Sequence, residues 1–202
     1  MAAKELLGGV FYINLDHRTD RRAEIENECA RMGITNVQRI PGVPTDPGYI
    51  GCGLAHEAAV KAGRGLKNVL IFEDDFQFLV EPEEFWSSLE DAMKEQFDVI
   101  MLGCNLRNSE PWPSNDKLVR VLFGATGSGY LINGHMIDRI ADLFESSNVQ
   151  LAATHKHWLY ANDACWRPLQ ETGCWLTFKK RIGKQRASYS DNNKAFVDRD
   201  DC

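Results

Sequence analysis

The chain has 202 residues and 44% apolar content, enough for one α/β domain with a real core, which sets aside a disordered chain as the default. Its formal charge of −6 argues against general nucleic-acid binding, which needs a basic surface. No stretch reaches the roughly 20 apolar residues of a membrane span.

The opening MAAKELLGGVFYINLD is poor material for a signal peptide and reads as the approach to a first strand, a compact apolar run from Val10 to Leu15. A cytoplasmic location is therefore expected, with a fragment of a secretory-pathway protein as the alternative. A helix follows from Thr19 or Asp20 to about Met32, with Ile25, Cys29 and Met32 on one face and a stop at Gly33. Val37 to Ile40 suits a short second strand, and Pro41, Gly42, Pro44, Pro47 and Gly48 mark a loop. Gly51 to about Ala62 reads as a helix with an Ala-rich face, and Asn68 to Phe72 as the next strand. Then come a helix from Pro82 to about Gln96 and a buried strand from Asp98 to Leu102. Beyond residue 103 the pattern loosens. NLRNSEPWPSND reads as a loop, LVRVLF as an alternating strand, and GSGYLIN as a strand leading into a helix at about 134–145. Residues 151–202, rich in Trp and polar side chains, are the least patterned.

Alternating strands and helices predict a mostly parallel sheet with helices on both faces. Ligands of such sheets sit outside the C-terminal strand ends. The first strand runs into Asn14, Asp16 and Arg18, and the third into Glu73, Asp74 and Asp75. Three consecutive carboxylates after a buried strand repel one another and call for a cation. With the backbone extended past Phe72, Glu73 and Asp75 project to one side and Asp74 to the other. That pair suits Mg²⁺ or Mn²⁺, and a nucleotide diphosphate is a natural second ligand. The competing reading is a solvated acidic turn.

Four further groups stand out. Arg18, Arg21 and Arg22 crowd a helix start, where the macrodipole disfavours cations and a nearby anion would favour them, unless surface carboxylates simply pair with them. Gly48, Gly51 and Gly53 precede His56, in a stretch without a Walker or GxGxxG pattern. FKKRIGKQRASYSDN puts five positive charges in residues 179–186, among them Lys184, followed by the hydrogen bonders Gln185 and Asp191. Asp163 sits among Trp158, Cys165 and Trp166, where a carboxylate with a raised pKa would serve as a base; the alternative is an exposed position on an amphipathic helix. The six cysteines (29, 52, 104, 165, 174, 202) form no CxxC pair and no zinc spacing, and are expected reduced at core or boundary positions.

FYINLDHRTDRR, GCGLAHEAAVKAG, LIFEDDF, GATGSGYLINGHMIDRI, NDACW and IGKQRASYSDN, in this order, resemble glycosyltransferase family 25 over nearly the whole chain. That family includes bacterial lipooligosaccharide galactosyltransferases, collagen galactosyltransferases and enzymes of large DNA viruses. The resemblance implies a GT-A fold, a Rossmann-like α/β sandwich, over residues 1–202. Its nucleotide-binding part would cover about 1–104 and its acceptor side about 105–202. DRDDC at the end, with no closing apolar element, hints at a piece of a longer chain.

The implied activity is metal-dependent, inverting transfer of a hexose from a nucleotide sugar, UDP-linked, to a hydroxyl of a glycan, lipid-glycan or protein. Glu73 and Asp75 would hold Mn²⁺ or Mg²⁺ as the DxD-type motif, with Asp75 the foremost direct ligand. Asn14, Asp16, Arg18, Arg21, His56, Asp74, Lys184 and Gln185 would contact the donor. Asp163 is the implied base and Asp191 its runner-up. A further metal ligand would be His155, His157 or a polar residue of the closing segment. The alternatives are an inactive glycosyltransferase-like binding module and a metal-dependent nucleotidyltransferase. The latter is disfavoured because the first loop is rich in arginine rather than clustered glycine.

Overall fold

A computed structural model describes residues 6–191 and 194–198. In chain order the elements are β1 (Gly9–Asn14), α1 (Thr19–Arg31), β2 (Gln38–Pro41), α2 (Gly48–Ala62), β3 (Asn68–Glu73), β4 (Phe76–Phe78), α3 (Pro82–Ala92), β5 (Val99–Pro111), β6 (Leu118–Asn133) and α4 (Gly134–Thr154). The short helices α5 (His157–Tyr160), α6 (Asn162–Cys165) and α7 (Arg167–Thr172) follow, then β7 (Trp175–Phe178), β8 (Gly183–Gln185), β9 (Ser188–Ser190) and β10 (Ala195–Val197).

The main sheet has the order β2-β1-β3-β6-β5-β7. β1 lies parallel to β2 and β3, and β5 parallel to β7, while β6 runs antiparallel to β3 and β5. The expected α/β sandwich with a mostly parallel central sheet is therefore what the chain forms. Side chains alternate across a strand, so Leu70 and Phe72 enter one core and Val69 and Ile71 the other, all four fully buried. On the first face Ile25 and Cys29 of α1 and Phe85 and Leu89 of α3 cover the sheet. On the second, Ala59 and Val60 of α2 meet Ile137, Ile140 and Phe144 of α4. Burial contributes roughly 2 kcal/mol per side chain, so these four residues of β3 hold the acidic strand end firmly in place.

Gly33, at φ +68°, turns the chain out of α1 where a stop was expected. Other boundaries differ from expectation. The segment read as a loop after residue 103 is strand: β5 continues to Pro111, paired with a β6 that is unbroken through GATGSG. Residues 106–111 are exposed, so the ribbon carries no apolar alternation, and its register shifts disguise the pairing further. α2 begins at Gly48, three residues before the expected Gly51. α3 ends at Ala92 instead of about Gln96, because the amides of Lys94 and Glu95 bond three residues back and tighten the last turn. α4 runs on to Thr154, since Asn148 and Leu151 of its polar second half are buried, both beside Gly53 of α2. Cys29, Cys52, Cys104, Cys165 and Cys174 are free thiols, while Cys202 lies outside the described residues.

Candidate active site

β1 and β3 end side by side, and the closing segment from β8 to Asp191 folds back over both ends. Between them and the start of α2 lies a cleft of about 550 Å³. Strand geometry stops at Glu73; Asp74 and Asp75 form a turn that leads into β4. The extended backbone expected through Asp75 is thus absent, yet the carboxylates still sort to two sides. Gln185 Nε2 donates to Glu73 Oε2 at 2.9 Å and to Asp75 Oδ1 at 3.5 Å, and Asp74 turns away to Asn14 Nδ2 at 2.7 Å.

A cation already stands at the acidic turn. Arg21, one turn into α1, donates to Asp74 Oδ1 at 2.9 Å and lies 3.2 Å from Asp75 Oδ2. The same guanidinium bonds the Ser188 hydroxyl and the Tyr189 carbonyl, tying α1 to the closing segment. One guanidinium does not neutralise three carboxylates. Burial, and next the charge of Glu73, push the Asp75 carboxyl up to about 7. Burial raises Asp74 as well, against the pull of Arg21 and Asn14.

His56 projects from α2 with its ring fully buried. Its Nδ1 meets the Tyr130 hydroxyl at 2.7 Å and its Nε2 meets Glu73 Oε1 at 3.0 Å. Asp163, at the first turn of α6, lines the cleft and accepts the Thr126 amide at 3.1 Å. Thr126 sits at φ +66°, a costly position for a β-branched residue and one found where a site constrains its backbone. Asp191 also lines the cleft, but it is clamped by Arg18 at 2.5 Å and His17 at 3.5 Å. Burial alone would raise its pKa; the bonds and charge of Arg18, with the contact to His17, outweigh burial and carry it below the usual carboxylate range.

Of the residues singled out in the sequence, Asn14, Arg21, His56, Glu73, Asp74, Asp75, Asp163, Gln185 and Asp191 all line this one cleft. Arg18 stands behind it, holding Asp20 and Asp191. Asp16 points to solvent and pairs with Arg39, and Lys184 stands opposite Gln77 in the β4–β8 pair, outside the cleft lining. His155 caps α4 beside the Tyr49 hydroxyl at 3.1 Å, whereas His157 lines the cleft next to the Tyr49 ring. Arg39, which grips Asn14 through two bonds, Tyr130, Thr126 and Cys52 complete the site and were not singled out as site residues. Only the GCGLAH spacing pointed toward one of them, since it puts Cys52 one helical turn before His56.

No family model matches the sequence, and no curated protein matches it at a significant level. Among solved structures, the chain is similar to a glycosyltransferase involved in the glycosylation of the major capsid of PBCV-1, at 9% identity and TM-score 0.47, over 88% of this chain and 92% of that one. It is similar to GlyE, a glycosyltransferase of Streptococcus pneumoniae, at 7% identity and TM-score 0.47, over 86% of this chain and 45% of that one. It is also similar to mannose-1-phosphate geranyltransferase of Thermus thermophilus, at 9% identity and TM-score 0.44, over 88% and 73%. Likenesses at this level identify no donor, metal or catalytic residue. Among the described residues no helix is long and apolar enough to cross a membrane.

Proposed function

We propose that the chain is a metal-dependent glycosyltransferase of the family 25 type, transferring a hexose from a UDP-sugar to a hydroxyl of a glycan, lipid-glycan or protein, with inversion. The observation that carries this reading is the meeting of Glu73 and Asp75 at Gln185, on the wall of the cleft. Gln185 Oε1 is buried without a hydrogen-bond partner, on the amide whose Nε2 meets the two carboxylates, so a turn of that amide would bring a hard oxygen to them. Such a donor set fits Mn²⁺ or Mg²⁺. Glu73, Asp75 and Gln185 would hold the ion, which when bound neutralises charge on the leaving nucleoside diphosphate.

The chain's own groups supply the rest. Arg21 and Arg186 line the cleft and match phosphate geometry. Asp163 takes the acceptor's hydroxyl proton as that oxygen bonds the anomeric carbon, and the bond from that carbon to the diphosphate breaks. Asp191 is the poorer base, because Arg18 and His17 stabilise its charged form. The pairing of Arg21 with Asp74 and Asp75 favours a second reading, a binding module whose acidic turn is partly compensated internally.

Calorimetric titration of UDP with Mn²⁺, and again with chelator, separates the two. Strong binding with Mn²⁺ alone, lost in Asp75→Ala, is the expected result. No UDP binding under either condition refutes the UDP–metal reading.

A further inference from the structure

The two oxygens of Glu73 face different surroundings. Oε2 accepts a hydrogen bond from Gln185 Nε2, which also reaches Asp75 Oδ1. Oε1 faces α2, where Cys52 and His56 stand one helical turn apart on a single face. The Cys52 sulfur, the His56 ring nitrogen and the Glu73 carboxylate oxygen all lie within 4.8 Å of one another. We infer that Cys52, His56 and Glu73 form a binding site for a zinc-class ion, which shares Glu73 with the hard-oxygen site on its other side.

Three features support it. The donor set is one thiolate, one imidazole and one carboxylate, which selects zinc, cobalt or cadmium over magnesium or manganese. The His56 ring is oriented from behind: its Nδ1 is 2.7 Å from the Tyr130 hydroxyl, leaving Nε2 aimed at Glu73 and the cleft. An outer partner of this kind is what ligating histidines characteristically have. The surroundings also attract cations, since Asp74, Asp75 and Asp163 line the same cleft as Cys52. The three protein ligands leave a fourth tetrahedral position open toward the cleft, for water or a ligand. As the metal–sulfur bond forms, the thiol proton passes to solvent. His56 Nε2 and Glu73 Oε1 already stand 3.0 Å apart, so the adjustment to tetrahedral spacing falls mainly on the sulfur, which lies within 4.8 Å of both.

Cobalt reports this directly, because a cobalt–thiolate bond gives a charge-transfer band that carboxylate and imidazole ligands do not. The intact chain is titrated with Co²⁺ without nucleotide or Mn²⁺, and then with Zn²⁺. The expected result is a band saturating at one equivalent, removed by Zn²⁺, absent in Cys52→Ala and retained in Cys165→Ala. Zn²⁺ affinity should fall at least about 100-fold in Cys52→Ala, the upper end of what losing even an outer-shell partner costs. Circular dichroism of each variant checks folding, and Cys52→Ser, which keeps a polar group facing Asn162, serves if the alanine variant fails to fold. No band in the wild type, or a band that survives the Cys52 substitution, overturns the inference. Because the titration contains no nucleotide, its failure leaves the transferase reading standing, and failure of UDP binding leaves the band unaffected.

Discussion

Phe76 follows the acidic turn directly, and the edge of its fully buried ring is bedded against glycine backbone. Gly129 of β6 and Gly183 of β8 press on its edge, with Gly103 of β5 beside them. A Cβ at Gly183 would stand 2.5 Å from Phe76 Cε2, inside van der Waals contact with Cζ, and 3.1 Å from the Leu102 carbonyl. Carbon atoms pack at roughly 3.5–4.0 Å, so the methyl of Gly183→Ala needs more than about 1 Å of relief. Phe76 cannot supply it, since Phe72 and Phe78 close on its ring at centroid distances of 4.8 and 4.9 Å. β8 must lift instead, straining its pairing with β4 and the bond from the Arg186 amide to the Asp75 carbonyl. Overpacking of this kind costs about 3 kcal/mol, the upper part of its usual span, equivalent to a melting-temperature loss of about 6–12 °C at this size. Urea and thermal unfolding of Gly183→Ala, alone and with Phe76→Leu, measure it. The cost should shrink by half or more in the Phe76→Leu background, where the ring edge is gone. A Gly183→Ala variant within about 0.5 kcal/mol of wild type, or a cost that Phe76→Leu leaves unchanged, would refute the cradle.

Two further outcomes concern the carboxylates. Asp75 carries a folded-state pKa of about 7 against an ordinary 3.8, so between those values the native chain holds more protons than the unfolded one. Stability in chelator should therefore fall as pH rises from about 4 to 7 and level off above. Asp75→Asn should gain on wild type across that window by on the order of 2 kcal/mol, because the charge is shared with Glu73. Urea unfolding at pH 5 and pH 8 checks this, and a gap that does not widen with pH contradicts it. Asp163→Asn should lower kcat for sugar transfer by about 10²–10⁴ if it is the base, with Asp191→Asn much less affected. Equal losses in the two variants would remove the assignment to Asp163.

Where the sheet is buried on both faces, the sequence carried its own boundaries. Val10 to Leu15, Asn68 to Phe72 and Asp98 to Leu102 are runs that no exposed element tolerates, and each marks a central strand to within a residue at its start, while Leu15 falls just past β1 and β5 continues to Pro111. The ribbon of β5 and β6 beyond residue 103 was hidden, because exposed backbone pairing leaves no period in the side chains and its glycines mimic a loop. Those glycines have a tertiary reason: Phe76 lies against Gly103 and Gly129, and Trp166 against Gly127. Such a reason cannot be read until strand order is known. The second half of α4 was missed on similar grounds, its buried Asn148 reading as polar until Gly53 of α2 lets the two helices approach.

The same division governs the cleft. Strand ends at β1 and β3 were legible as a site because carboxylates after a buried strand need compensation, whatever compensates them. What the residues did not disclose was that Arg21 supplies part of it from within the chain. An arginine cluster at a helix start looked like an anion site, and its best-placed member is instead paired with Asp74 and Asp75. That pairing changes the energetics of any incoming cation. Under the proposed function, an ion at Glu73 and Asp75 would meet carboxylates already partly compensated, and it would weaken the hold of Asp75 on Arg21 while Asp74, Ser188 and Tyr189 keep theirs. Metal and phosphate would then favour each other by charge, because a phosphate in the cleft would find Arg21 less neutralised by Asp75.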